Sequence, residues 1–285
     1  MKNLPQLIGV VHLPPLAGAP RASHQHPAEA LQIAGGLAVE EALALEQAGY
    51  EGVILENFGD TPFYKDRVPP ETLASLAIIA AAVRDAVKIQ VGINVLRNDA
   101  RAALAIAAVT GCDFIRVNVL SGLTATDQGL IEGDAATLVR ERERLGVSQS
   151  VAILADVHVK HAITLSSFDL GLAIEETGLR AMADGVIITG RTTGRLADLQ
   201  SLQLASQVAR ENKIPLFIGS GASRDKLKEI RPWVNGIIVG SDLRRDGLAG
   251  APLDLKRLRE FEKEFRKAPI QKGMSGKEKK LKKKA

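Results

Sequence analysis

The sequence predicts an α/β fold, a closed (β/α)8 barrel of the TIM type. Three observations carry this. Eight short, β-branched apolar runs recur along the chain, with amphipathic or alanine-rich stretches between them. Their starts lie 21 to 45 residues apart, the spacing of successive βα units, and eight such units in about 265 residues match this barrel in count and size. The rival, a doubly wound open sheet, needs a glycine-rich turn after its first strand. Here that strand runs into Pro14-Pro15-Leu16-Ala17-Gly18-Ala19-Pro20, too stiffened by proline to wrap a pyrophosphate in that way.

The first strand is expected over Leu7–Leu13, and the first helix over Ala38–Ala48, with Gly49 as its stop. Strand two, Gly52–Asn57, leads to a helix that opens at Pro69-Pro70-Glu71 and runs to Val87; proline suits a first helical turn. Strand three is Ile89–Leu96, and its helix, Asp99–Val109, ends at Gly111. Strand four is Phe114–Leu120, and its helix, Asp134–Leu145, ends at Gly146. Val151–Val159 and Ser167–Met182 make the fifth unit, and Gly185–Thr189 with Leu196–Glu211 the sixth. Pro215–Gly219 is followed by a helix over Ser223–Ile230 with Ser223 as N-cap. Gly236–Gly240 and Asp254–Lys267 complete the set. Most of these strands are continuously apolar rather than alternating, as parallel strands covered on both faces are. No linker divides the chain before residue 270, so residues 1–270 are expected to form one barrel domain, with 271–285 a disordered Lys-rich tail.

Composition narrows the function. With 46% hydrophobic and 25% charged residues, the chain is neither disordered nor fibrous. Aromatics at 4% are too few for base-stacking platforms. The net charge of +4 divides unevenly: Lys272 to Ala285 hold seven lysines and one glutamate, leaving a body with 30 basic and 32 acidic side chains. The basic excess therefore belongs to the tail, and nucleic acid is not the expected partner of the barrel. Weak contact of the tail with anionic surfaces is the most it suggests. Cys112 is the only cysteine, so no intrachain disulfide can form and a reducing compartment is expected. The N-terminus has no apolar signal segment. The longest nearly apolar run, Leu73–Val83, is far short of the roughly 18 residues of a membrane span. A cytoplasmic protein is expected, and its alanine-rich outer helices suggest a homo-oligomer.

In such barrels the chemistry sits at the C-terminal ends of the strands. Those ends carry His12, Glu56, Asn94, Arg116 with Asn118, and Asp156 with His158, followed by Lys160 and His161. A single polar residue there is most often a cap. A ring of them is harder to account for, since each one buried without a partner costs about 1–3 kcal/mol. They are expected to face a wet cavity or one another. Asp156, His158, Glu56, His12, Asn94 and Lys160 are the candidate catalytic residues. Asp156→Asn is expected to leave the fold intact and abolish turnover. Asp156 and His158 can hold a divalent ion, or Asp156 can orient His158 as a base; both remain open. No paired HxH or HExxH zinc spacing is present, and no cofactor is called for otherwise. Lys160 is suited to a Schiff base, against the commoner solvent-facing role. Cys112 lies at the opposite end of the barrel and reads as structural.

The seventh strand runs into Gly219-Ser220-Gly221-Ala222, and the eighth into Gly240-Ser241-Asp242. Loops after these two strands form the recurrent phosphate site of the fold, through backbone N–H groups. One GSG is a weak signal, but two such loops at the right strands are a better one. The candidate substrate-binding residues are Asn118, Arg116, Gly219, Ser220, Gly221, Gly240, Ser241 and Thr189, with Arg191 and Arg195 as possible extensions. The segment Phe58–Val68, with aromatic Phe63 and Tyr64, is a candidate lid.

The chain resembles the BtpA family, whose name covers a photosystem I biogenesis factor and the related SgcQ proteins. The likeness rests on Gly9-Val10-Val11-His12-Leu13-Pro14-Pro15-Leu16, Glu56-Asn57-Phe58-Gly59-Asp60-Thr61-Pro62-Phe63 and Gly92-Ile93-Asn94-Val95-Leu96-Arg97-Asn98-Asp99. It continues through Phe114-Ile115-Arg116-Val117-Asn118, Thr126-Asp127-Gln128-Gly129, Asp156-Val157-His158-Val159-Lys160-His161-Ala162 and Gly219-Ser220-Gly221. The resemblance spans about residues 6–265 and implies a TIM barrel, in agreement with the strand count. The chain departs from the pattern at Leu16-Ala17-Gly18-Ala19-Pro20, at Ser241-Asp242 and in its basic tail. Asp242 sets a negative charge beside the proposed phosphate loop. From the residues, the expected function is an enzyme acting on a small phosphorylated metabolite, sugar phosphate or nucleotide-like. From the resemblance, the alternative is a non-catalytic biogenesis factor acting through protein partners.

Overall fold

Eight parallel strands close on themselves in the computed structural model, which describes residues 3–22, 26–158, 162–165, 169–189, 199–219 and 221–269. In chain order the first elements are β1 (Leu7–His12), α1 (Pro27–Gln47), β2 (Gly52–Glu56), α2 (Pro70–Ala86), β3 (Gln90–Asn94), α3 (Ala100–Thr110) and β4 (Phe114–Val117). Then come β5 (Leu123–Thr126), β6 (Gly129–Glu132), α4 (Ala135–Arg144), β7 (Ala152–Val157), β8 (Ala162–Thr164) and α5 (Leu170–Glu175). The rest are β9 (Gly185–Ile188), α6 (Leu199–Glu211), β10 (Leu216–Ile218), α7 (Leu227–Ile230), β11 (Gly236–Val239) and α8 (Leu255–Lys267). The barrel runs β1-β2-β3-β4-β7-β9-β10-β11 and back to β1, with β5, β6 and β8 in a separate three-stranded sheet. The barrel strands are the eight expected ones, each within a few residues of its expected bounds.

Strand periodicity divides the core in two. Positions facing the barrel axis supply Ile8, Val10, Ile54, Phe114, Ala152, Leu154, Ile187, Phe217 and Ile238, one closed apolar cluster. The alternate positions face the helices and form the larger cluster, with Val11, Val53, Ile93, Ile115 and Ile153 among its members. Two glycines make room for the axial aromatics. A Cβ on Gly92 would meet the ring of Phe114, and one on Gly236 would meet Phe217. The polar strand ends are the next inward positions above this plug: His12 follows Val10, Glu56 follows Ile54, Arg116 follows Phe114 and Asp156 follows Leu154, each two residues on.

Four elements differ from the sequence expectation. Helix α1 begins at Pro27, with the His26 side chain accepting from the Ala28 N–H, and not at Ala38. Gly35 sits within α1 where it packs on α2, near Ile79. The hairpin β5–β6 was unforeseen. It turns at Asp127-Gln128, and Gly129 takes φ 99°, a conformation open to glycine. The expected helix at Ser167–Met182 is α5 followed by a π turn over Glu176–Arg180. Ser223 does not cap a helix through its side chain; a 3-10 turn over Arg224–Lys226 follows it. No helix among the described residues is long and apolar enough to cross a membrane.

Candidate functional site

Register sets the polar ends level. His12 pairs with Glu56, and Glu56 with Asn94, across three adjacent strands. With Arg116, Asn118 and the glycine loops they line a cavity of about 270 Å³ at the mouth. All five side chains are at least nine-tenths buried, so their polar atoms must be answered from within the site.

Arg116 is the hub. Its Nε and Nη2 donate to Asp156 Oδ2 and Oδ1 at 2.8 and 3.0 Å, and its Nη1 reaches Glu56 Oε1 at 3.3 Å. Asn94 Nδ2 donates to the same Glu56 oxygen at 2.9 Å, and Asn118 Nδ2 lies 3.5 Å from Asp156 Oδ2. Burial works against the Arg116 charge, but the Asp156 and Glu56 carboxylates prevail and hold it above its ordinary value. The carbonyl oxygens of Asn94 and Asn118 are buried with no hydrogen-bond partner.

The rest of the lining includes aromatic side chains and glycines. His12 lies against Phe58 with ring centroids 4.5 Å apart, and its Nδ1 accepts the Gly250 N–H at 3.2 Å. That bond places the neutral ring's proton on Nε2, beside Gly240, where an added Cβ would lie 3.2 Å away. Gly219, Gly221, Ala222, Gly240 and Ser241 also line the cavity. Asp242 turns outward. Its carboxylate pairs with Arg257 at 3.1 Å and accepts the Arg224 N–H at 3.2 Å, so a guanidinium faces the charge that the sequence set beside this loop.

Phe58 and Phe63, from the candidate lid segment, line the cavity, and so does Arg97, which the sequence reading did not single out. Arg97 stands three places beyond Asn94 in a stretch whose motif was noted for its resemblance alone. Burial lowers its guanidinium from the ordinary value, while the Asp156 carboxylate pulls the other way. The segment Phe58–Val68 is tied at both ends. Asp60 accepts from Leu16 N–H at 2.8 Å and from Asn57 at 3.0 Å, and Asp99 accepts the Val68 N–H at 2.9 Å. Its Phe58 and Phe63 form part of the cavity wall.

His158 leaves β7 with φ 55° and lines a second, smaller cavity of about 30 Å³ with Asp156, Asn118 and Glu176. Thr189 Oγ1 donates to the His158 carbonyl at 3.2 Å. Lys160, Ser220, Arg191, Arg195 and the tail lie outside the described residues. Among those described, no three His, Cys, Asp or Glu side chains gather as a metal site. A guanidinium occupies the space between Glu56 and Asp156, and both Asp156 oxygens face it. With both Asp156 oxygens taken by Arg116, a divalent ion held by Asp156 and His158 does not fit this geometry.

The BtpA family matches over residues 3–267. This chain belongs to the BtpA family. Its BtpA relatives include the photosystem I biogenesis protein BtpA of Synechocystis, 46% identical over 90% of this chain and 86% of that protein. An uncharacterised protein of Thermococcus kodakarensis is 43% identical over 93% of this chain and 97% of its own length. One of Caenorhabditis elegans is 34% identical over 91% and 92%. Among solved structures, phosphoribosylanthranilate isomerase of Pyrococcus furiosus superposes with a TM-score of 0.56 at 14% identity, covering 92% of this chain and all of the other. Thiamine phosphate pyrophosphorylase of the same organism gives 0.54 at 14% identity, over 92% and 96%. At that identity they establish the fold alone, a TIM barrel.

Proposed function

We propose that the barrel binds a small phosphorylated metabolite in the mouth cavity and catalyses its conversion. One observation carries the reading. The backbone N–H groups of Gly221, Ala222 and Ser241 make no hydrogen bond among the described residues, and these residues line the same cavity as Glu56 and Arg116. Unanswered N–H groups in glycine loops at these two strand ends suit a phosphate, whose binding energy orients the rest of the substrate. The named activities of the two fold neighbours, both on phosphorylated compounds, support the same reading. His12 and Glu56 face the cavity as the acid–base pair, Arg116 offers positive charge to a developing oxyanion, and Asn94 and Asn118 position the substrate. Ser220 and Thr189 would complete the phosphate end, and His158 and Lys160 a second proton-transfer group.

The test is Ser241→Asp, which sets a like charge in the loop. Phosphorylated ligands that raise the melting temperature of the native chain should lose that effect in the variant, whose own melting temperature stays unchanged. Equal stabilisation of both would sink the phosphate site.

The name of the Synechocystis relative favours a second reading, an assembly factor acting through a protein partner. The exposed apolar side chains Leu130, Ile163 and Leu165 on and beside the small sheet offer a surface for it. Under that reading Ile163→Lys loses the partner and Glu56→Gln keeps it; under the first, the reverse pattern holds for activity. A nematode relative speaks against a role confined to photosynthesis.

A further inference from the structure

Resting on the phosphate reading above, we infer that the cavity's ligand carries a second anionic group, a carboxylate or a further phosphate, and that Arg97 receives it. Position, anchoring and charge each support this.

Position follows from the ring. In the barrel order β1-β2-β3-β4-β7-β9-β10-β11, β3 and β10 stand four places apart in either direction, so they are opposite members of the barrel. Arg97 follows β3, Gly221 and Ala222 follow β10, and Ser241 follows the adjacent β11. All four residues line the same cavity. Arg97 therefore comes to it from the side of the ring opposite the phosphate loops. Arg116 is placed differently. A Cβ on Gly219 would lie 3.1 Å from its Nη2, which sets this guanidinium beside the phosphate loop, and its bonds to Asp156 and Glu56 keep it there. The two arginines thus serve different parts of one ligand.

The backbone that carries Arg97 is anchored. Its own N–H donates to the Tyr64 carbonyl at 3.1 Å. The next residue, Asn98, bonds the N–H and the carbonyl of Val119 at 2.8 and 3.0 Å. Asp99 after it accepts from the Val68 and Ala102 N–H groups, both at 2.9 Å. A position fixed in this way spares a ligand part of the ordering cost of binding.

Charge distinguishes the two arginines. Both are buried, but with opposite outcomes. At Arg116 the Asp156 and Glu56 carboxylates prevail over burial; at Arg97 burial prevails, and Arg116 pushes the same way. The carboxylates pulling against it are Asp156, Asp127 and Glu56. Asp156 and Glu56 already bond Arg116, and Asp127 is exposed at the β5–β6 turn, where salt and water screen it. Arg97 has less negative charge about it than its burial calls for. An anionic group of the ligand supplies that charge, through the forked hydrogen bonds that a guanidinium offers to carboxylate and phosphate alike.

The experiment is a calorimetric titration of the intact chain with inorganic phosphate and with matched pairs of ligands. Glycerol phosphate is set against phosphoglycerate, which exchanges a hydroxymethyl group for a carboxylate, and fructose monophosphate against fructose bisphosphate. At least one two-anion ligand should bind about ten-fold tighter than its one-anion partner, and the pair that shows the gain identifies the second group. Arg97→Gln should cut the gain to within about two-fold and bind inorganic phosphate as the native chain does, which also reports that the variant is folded. Arg97→Lys keeps the charge and loses the fork; it should retain part of the gain, and it carries the comparison if the glutamine variant does not fold. No gain in either pair overturns the second anion and leaves the phosphate site standing. A gain undiminished in both variants, or inorganic phosphate weakened as much as the two-anion ligand in a folded variant, overturns the assignment to Arg97. Failure of every ligand, inorganic phosphate included, overturns the phosphate reading as well.

Discussion

Asp156 is the side chain whose meaning changed most. The sequence offers it as a base or metal ligand; the fold shows it holding Arg116 with both oxygens, and its side chain is wholly buried. Removing one partner of such a pair strands the other charge, at a cost of about 3–5 kcal/mol. Asp156→Asn should therefore lower the urea midpoint substantially as well as impair activity, contrary to the expectation of an intact fold. An unchanged midpoint would show that Glu56 alone suffices for Arg116. Cys112 behaves as its position suggests. Burial pushes its thiol up to about 11, while the Thr110 hydroxyl, 3.2 Å away, pulls it down. The folded value lies above the ordinary ~8.5, so this contribution to stability is complete below that pH and is lost as pH climbs toward 11. Iodoacetamide at pH ~8 should label Cys112 far faster in denaturant than in the native chain; equal rates would mean the thiol is accessible.

Between elements, two close fits decide the barrel's shape. Gly92 on β3 admits the Phe114 ring from β4. Gly92→Ala should cost about 1–3 kcal/mol by overpacking, and Phe114→Leu in the same chain should recover most of it. Recovery of nothing would place the strain elsewhere. The second fit is Arg244, almost fully buried, which donates to both Glu41 oxygens on α1 at 2.9 and 2.8 Å, to the Val10 carbonyl on β1 and to Ala251. It ties the last loop to the first βα unit and so fixes the wall that carries Gly240 and Ser241. Arg244→Met and Glu41→Leu should each destabilise by about 3–5 kcal/mol, and the double variant by less than either. Strict additivity in chemical denaturation would show that the two groups act independently.

The chain as an assembly raises the question of its outer face. Leu73 and Ile78 on α2 are exposed, Ile78 by 56%, which fits the homo-oligomer that we propose. Sedimentation should give a mass above the 30.4 kDa of one chain, and Ile78→Glu should reduce it; a monomer at every concentration would remove the proposal. The barrel's own packing ends with Phe265 and Ala268, both buried. We propose that the lysines beyond residue 271 add charge and no core. Deleting 272–285 should leave the melting temperature and ligand binding unchanged and abolish any low-salt adhesion to anionic polymers.

The strand runs, their spacing and the polar residues at their ends were written in the sequence, because burial on both faces demands continuous apolar runs and a lone polar terminus stands out against them. Hence His12, Glu56, Asn94, Arg116 and Asn118 were legible, and so were the glycine loops. Arg97 was not, since it lies past its strand, where no periodicity marks direction. The β5–β6 hairpin was hidden for a like reason: its strands are four residues each and pair only with one another and with β8, far along the chain. Nor could the sequence say who partners whom. Asp156 and Arg116 are 40 residues apart, and only barrel closure and register bring them within hydrogen-bonding distance. The sequence determined the kind of barrel and which residues crown it. The tertiary structure decided that two of those carboxylates hold an arginine, and which side chains line the cavity that remains, because these depend on distances between strands that local chemistry does not encode.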